Sequence, residues 1–87
     1  MDPWHVILAK AAQKDSKKLK SAGLDRKALE LIAILSVSPF QTPPPYEKLG
    51  GLDRVYSRRI NKQHRLSYQV DQPSRTVIVT RLWGHYE

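Results

Sequence analysis

Two arginines, Arg59 and Arg65, flank the turn of a hairpin-like stretch, YSRRINKQHRLSY, at residues 56–68. Guanidinium groups make paired, charge-assisted hydrogen bonds to phosphate oxygens, so two of them on one strand face can grip a phosphodiester. A solvated basic face is the plainer reading of the same residues. His85 stands next to Tyr86 near the end of the sequence. An imidazole beside a bound phosphate can donate a proton to a leaving oxygen, although a histidine so close to a terminus is often only frayed and exposed. Glu47 offers a carboxylate from a proline-rich stretch, where a lone glutamate is usually solvated. His5 and His64 lack comparable surroundings and read as structural, one on a strand surface and one in a turn. Three histidines so far apart have no metal-ligand spacing. The Gly50-Gly51 pair lacks the Lys-Ser/Thr and helix of a phosphate loop, and neither a Ser-His-Asp arrangement nor paired acids for two metals can be assembled. Acid/base chemistry with no metal and no cofactor is the catalytic option left.

These side chains need elements to carry them. Pairing Ile60 with Leu66 across a turn at KQH puts Tyr56, Ile60, Leu66, Tyr68 and Val70 on one side of a hairpin. Ser57, Arg59, Asn61, Arg65, Ser67 and Gln69 fall on the other. Arg58 lands on the apolar side and is expected to snorkel past an edge. Lys62 lies in the turn. The stretch TVIVTRLW, residues 76–83, is apolar on both faces near its start, which predicts a central strand carrying Arg81. Tyr46, Tyr56, Tyr68 and Trp83 could stack on bases, yet aromatic residues in strands are more often core.

Upstream, WHVILAK alternates in a way that predicts a first strand. Residues 10–22 are rich in Ala and Lys, with Ala12, Ser16 and Leu19 on a narrow face and Gly23 as the stop. Asp25 is placed to cap a second helix whose Ala28, Leu31, Ile32 and Leu35 share a face, with Leu24 and Leu29 as a hydrophobic staple. Pro39 ends it. The segment QTPPPYEKLGG is then expected to run extended and stiff along the surface, holding Tyr46 and Glu47. A strand, two helices and a three-strand antiparallel meander predict one α+β domain over residues 1–87, with helices on one sheet face and the other face polar.

The sequence has 87 residues, 15 Lys and Arg against 8 Asp and Glu, and a formal charge of +7, which draws it toward nucleic acid, an anionic membrane or an acidic protein. The basic residues are spread out and 40% of residues are apolar, so a disordered basic tail is not expected. Absence of cysteine removes disulfides and thiolate zinc sites and fits a reducing cytoplasm. The N-terminal stretch is too short to span a bilayer and lacks signal-peptide features.

The segments PPYEKL, YSRRINKQHRLSYQV and the terminal HYE resemble the Txe/YoeB branch of the RelE-like toxins of bacterial toxin-antitoxin modules. That resemblance implies a RelE-like fold and a ribosome-dependent endoribonuclease that enters the A site, cuts mRNA and is silenced by a cognate antitoxin. It implies Glu47 as general base, Arg65 as the phosphate-stabilising arginine, His85 as general acid and Tyr86 as its neighbour in the site. Arg59 matches an arginine touching the substrate backbone, with Arg58, Lys62 and Arg81 as further RNA-binding candidates. Operator DNA, bound together with the antitoxin, and a homodimer are additional partners it suggests; a membrane is not. One departure is LGGLDR after Glu47, which carries glycines and is a residue shorter than the corresponding stretch of many relatives. A non-catalytic RNA- or ribosome-binding module using the same basic face is the alternative.

Overall fold

A computed structural model describes residues 3–50 and 54–84. The elements are β1 (His5–Leu8), α1 (Lys10–Ser21), α2 (Asp25–Val37), β2 (Glu47–Lys48), β3 (Val55–Arg59), β4 (Arg65–Asp71) and β5 (Thr76–Arg81). They form one sheet in the order β1-β5-β4-β3-β2, with β1 parallel to β5 and every other neighbour antiparallel. The expected α+β architecture and the central position of β5 are both present. The short β2 is an addition, since two residues beside a proline run give no strand pattern to read.

In α1, Ala12, Asp15 and Leu19 are the buried residues, spaced to share one face while the lysines take the remainder. Gly23 ends the helix at φ 74°, where the Leu24 N–H bonds the Leu19 carbonyl at 2.8 Å and the Gly23 N–H bonds that of Lys20 at 3.1 Å. That closure leaves no room for the expected cap of α2. Leu24 itself is the N-cap and Asp25 is already helical, so no side chain caps the helix, although the Asp25 charge still sits favourably in the first turn. Leu29 is 63% exposed, so the anticipated staple does not form. The helix ends where Ser38 turns extended before Pro39.

Ala28, Leu31 and Leu35 of α2 close with Ala12 and Leu19 of α1 over Leu66, Tyr68, Val70, Val77 and Val79 of the sheet. Each fully buried leucine of this cluster contributes about 1.5–3 kcal/mol relative to exposure. The β3–β4 register differs from expectation by two residues: Arg58, not Ile60, lies opposite Leu66, and the Ile60 N–H bonds the His64 carbonyl at 2.9 Å. The turn is tighter because the Asn61 Oδ1 accepts the N–H groups of Gln63 at 2.8 Å and His64 at 2.7 Å. An even shift leaves every side chain on its expected face.

Candidate phosphate-binding site

The polar side of the hairpin is assembled by strand register. Glu47 of β2 lies opposite Ser57 of β3, which lies opposite Ser67 of β4, while Arg59 lies opposite Arg65. The Arg65 Nη1 donates to the Glu47 Oε2 at 3.3 Å and to the Ser57 Oγ at 3.2 Å. Its side chain is 18% exposed, whereas that of Glu47 is 65% exposed. One arginine is thus held in place and one carboxylate remains free to meet solvent or substrate. Pro45, Glu47, Ser57, Arg59 and Arg65 line an open cavity of ≈ 230 Å³. Behind it, the Ser67 and Thr80 hydroxyls lie 2.9 Å apart beside a bulge that places Thr80 outside the β4–β5 pairing.

Like charges directly opposite on neighbouring strands repel, so the Arg59–Arg65 pair costs stability when nothing lies between them. Glu47 offsets that repulsion from one side. An anion in the cavity would offset it for both arginines at once, which is the electrostatic arrangement of a phosphate site.

Glu47 reaches this position through an arginine on the opposite face. Arg58 is wholly buried, and its guanidinium donates to the carbonyls of Pro44 at 2.6 Å, Gln41 at 2.9 Å and Pro39 at 3.0 Å. The rings of Phe40, Tyr46, Tyr56 and Tyr68 pack on one another in tilted, edge-on and stacked contacts, with the ring centres of Tyr46 and Tyr68 5.3 and 6.0 Å from the guanidinium carbon. The expectation that Arg58 binds RNA is therefore corrected. It does not snorkel, because backbone carbonyls of Pro39, Gln41 and Pro44 take hydrogen bonds from its Nη1 and Nη2 inside the fold, although its buried Nε has no hydrogen-bond partner. The segment is not extended either: it bends over residues 42–44 around that cation, with cis bonds at Thr42–Pro43 and Pro43–Pro44. Tyr68 donates its hydroxyl to the Pro39 carbonyl at 2.8 Å. Burial pushes its pKa up to about 12 against the opposing charge and hydrogen bond of Arg58, so the phenol keeps its proton. Tyr46, Tyr56 and Tyr68 thus serve the packed cluster.

The C-terminal strand is fastened by a second buried polar group. Asp15, 2% exposed, accepts the Arg81 Nε at 2.8 Å, the Arg81 Nη2 at 3.2 Å and the Leu82 N–H at 3.0 Å. Burial alone would raise its pKa; the Arg81 hydrogen bond, the Leu82 N–H, the Arg81 charge and the Trp83 N–H together reverse this and lower it. Arg81 accordingly reaches toward α1, on the helix-covered side of the sheet, and is absent from the cavity. Its side chain is nonetheless 44% exposed, so it stands apart from the cavity without being withdrawn from the surface. Lys62 is exposed in the turn and lines no part of the cavity.

Of the expected site residues, the structure gathers Glu47, Arg59 and Arg65. His85 and Tyr86 lie outside the described residues, as do Gly51, Leu52 and Asp53 of the glycine-containing stretch. The chain nevertheless arrives beside the cavity one residue earlier, where the Arg65 N–H bonds the Gly84 carbonyl at 2.8 Å. Ser57 lies on the expected polar face, and its register opposite Glu47 makes it a second partner of Arg65. Asp15 carries no such signal, since one acid among helix lysines has the pattern of a solvated residue. No helix among the described residues is long and apolar enough to cross a membrane.

A family model described as the ParE toxin of the type II toxin-antitoxin system parDE matches residues 6–87. The solved structure of a YoeB/ParE toxin from Agrobacterium tumefaciens is 25% identical over 94% of this chain and 99% of that one, with a TM-score of 0.84. A YoeB dimer from Staphylococcus aureus is 29% identical over 95% of this chain and 98% of that one, with a TM-score of 0.79. The RelE-RelB complex from Pyrococcus horikoshii OT3 is 24% identical over 97% of this chain and 96% of that one, with a TM-score of 0.77, and shares the fold. No curated protein matches.

Proposed function

The chain belongs to the ParE toxin family of type II toxin-antitoxin systems, and we propose that it acts as an endoribonuclease on mRNA in the ribosomal A site. Family membership alone does not choose this activity, because the family includes toxins that are not ribonucleases. The observation that carries the reading is the cavity in which Arg65 contacts both Glu47 and Ser57 while Arg59 stands opposite it. A toxin that only docked on a partner would gain nothing from holding a carboxylate against a phosphate-gripping arginine pair.

In this mechanism the RNA backbone enters with its scissile phosphate between Arg59 and Arg65. Glu47 takes the proton from the adjacent ribose 2'-OH, and the freed oxygen attacks phosphorus in line with the departing 5'-oxygen. Negative charge grows on the non-bridging oxygens as the phosphorus becomes five-coordinate. Arg65, already oriented by Glu47 and Ser57, stabilises that charge without reorganising, and Arg59 adds to it. His85 donates the proton that lets the 5'-oxygen leave, with Tyr86 beside it. The products are a 2',3'-cyclic phosphate and a 5'-OH end, and neither metal nor cofactor takes part.

The cognate antitoxin would cover the same basic surface, since a charge of +7 attracts an acidic segment as readily as RNA. The YoeB-YefM complex from S. aureus and the RelBE complex from E. coli are toxin-antitoxin complexes. The S. aureus YoeB dimer suggests a self-association that sedimentation would detect.

The test is cleavage of mRNA on programmed ribosomes, with mapping of the new 5' ends and chemical identification of the 3' ends. Wild-type protein should leave cyclic phosphate, and Glu47→Gln and His85→Ala should each slow the cut by about 100- to 10,000-fold. Binding that weakens steeply with salt while no cut appears would favour a non-catalytic ribosome binder. Undiminished cutting by both variants would remove the acid/base assignment.

A further inference from the structure

None of the five residues lining the cavity is a general acid suited to neutral pH, so the reaction proposed above depends on His85. Two hydrogen bonds fix the last described residue before it. Gly84 gives its carbonyl to the Arg65 N–H at 2.8 Å and its own N–H to the His64 Nδ1 at 2.9 Å. The His64 ring also stacks on Trp83, with centroids 3.9 Å apart and planes 28° from parallel. His64 is only 9% exposed, and its backbone is locked by the Asn61 turn on one side and by the Ile60 N–H on the other.

We infer that His64 is a positioning residue for the catalytic tail: its Nδ1 and ring clamp Gly84 and Trp83, the residues that lead into His85 in sequence. Gly84 has φ 87°, a left-handed conformation that glycine adopts at little cost and that lets both its peptide groups face β4. The clamp requires a specific protonation state. A ring nitrogen that accepts a backbone N–H carries no proton, so His64 is held as the neutral Nε2–H tautomer. It therefore contributes as an acceptor and a flat surface, and no proton of the reaction passes through it. Adjacent residues of one turn thus divide two tasks: Arg65 meets the phosphate while His64 holds the segment that supplies the acid.

The functional consequence rests on the nuclease reading, whereas the clamp itself does not, and the two are separable. His64→Phe keeps a ring to stack on Trp83 but removes the acceptor. His64→Asn offers an amide oxygen near the place of Nδ1. Amide exchange at Gly84, followed by NMR, reads the clamp without any substrate: protection is expected in wild type, lost in H64F and recovered in part in H64N. In single-turnover cleavage on programmed ribosomes, H64F should lose up to about 100-fold in rate with little change in the concentration giving half-maximal rate, and H64N should regain part of that loss. A variant that merely misfolds is controlled by the unsubstituted protein, whose imidazole nitrogens should show the Nε2–H tautomer. An Nδ1–H tautomer, or Gly84 protection that survives H64F, overturns the clamp. A wild-type rate in H64F with Gly84 unprotected overturns the positioning role. If wild type cuts nothing, the nuclease reading and the positioning role fall together, while the exchange and tautomer measurements still decide the clamp.

Discussion

Replacing Arg58 by Met removes the group around which the Glu47-bearing segment is folded. The Arg58 guanidinium serves the carbonyls of Pro44, Gln41 and Pro39. Pro39 keeps the Tyr68 hydroxyl as a donor after the change, so two carbonyls, those of Pro44 and Gln41, lose a partner. An unsatisfied buried carbonyl costs about 1–3 kcal/mol, and both sit where water can reach them in part. Methionine fills some of the space and no longer carries the cost of burying a charge, which moderates the loss. The net is about 3 kcal/mol, or a fall in Tm of roughly 12–24 °C for a chain of this size. Arg58→Lys separates charge from geometry. An ammonium cannot reproduce the fork toward three carbonyls yet retains the burial cost, so it should destabilise at least as much as methionine. Thermal unfolding followed by circular dichroism checks both. If R58M melts within about 4 °C of wild type, or if R58K is clearly the milder change, the segment is not organised by the guanidinium and the account of how Glu47 is placed fails.

Asp15→Asn should destabilise by about 1–3 kcal/mol, less than breaking a fully buried pair because Arg81 is 44% exposed and can turn to water. Because the folded pKa of Asp15 lies below its unfolded value, its contribution is complete above about pH 4 and is lost as pH falls through the lowered folded value; D15N should flatten the acid limb of a Tm-versus-pH curve. An unchanged acid limb would show that the carboxylate is not held as described. Gly23→Ala should cost about 1 kcal/mol at φ 74°, with Gly23→Asn milder, both read as a shift in urea midpoint at constant m; equal midpoints for the three proteins would refute the left-handed cap. Ser57→Ala removes one of the two contacts that orient Arg65 and should slow cleavage by about 10-fold with little change in Tm, whereas equal rates would leave Arg65 oriented by Glu47 alone.

The faces of the hairpin were legible because alternation has a period of two and survives the two-residue register error. Helix ends at Gly23 and Ser38 were legible because glycine and proline act locally. Polar groups acting over distance were not. Nothing near Asp15 in the sequence announces Arg81, which is 66 residues away, and nothing in SRRI announces that one arginine would be wholly buried while the one beside it lines the cavity. Parity alone separates Arg58 from Arg59, and parity gave the right sides. The missing knowledge was that a proline segment would bring its carbonyls to the apolar side, an arrangement that depends on the path of residues remote from the hairpin.

Glu47 and the approach to His85 lie on segments with little regular structure of their own, a two-residue strand and a terminal stretch. Such segments hold a fixed geometry only if something outside them supplies it, because their backbone groups lack an extended ladder. Here each is tied to a buried polar side chain: the proline segment to Arg58, the end of β5 to Asp15, and Gly84 to His64. None of these three groups lines the cavity, yet each sets where a cavity-facing or tail residue can stand. Polar groups inside so small a core add less stability than apolar ones of equal size would. Their retention in this arrangement is therefore best understood as positional: the sheet supplies the arginines by register, and the buried polar groups bring the remaining chemistry to them.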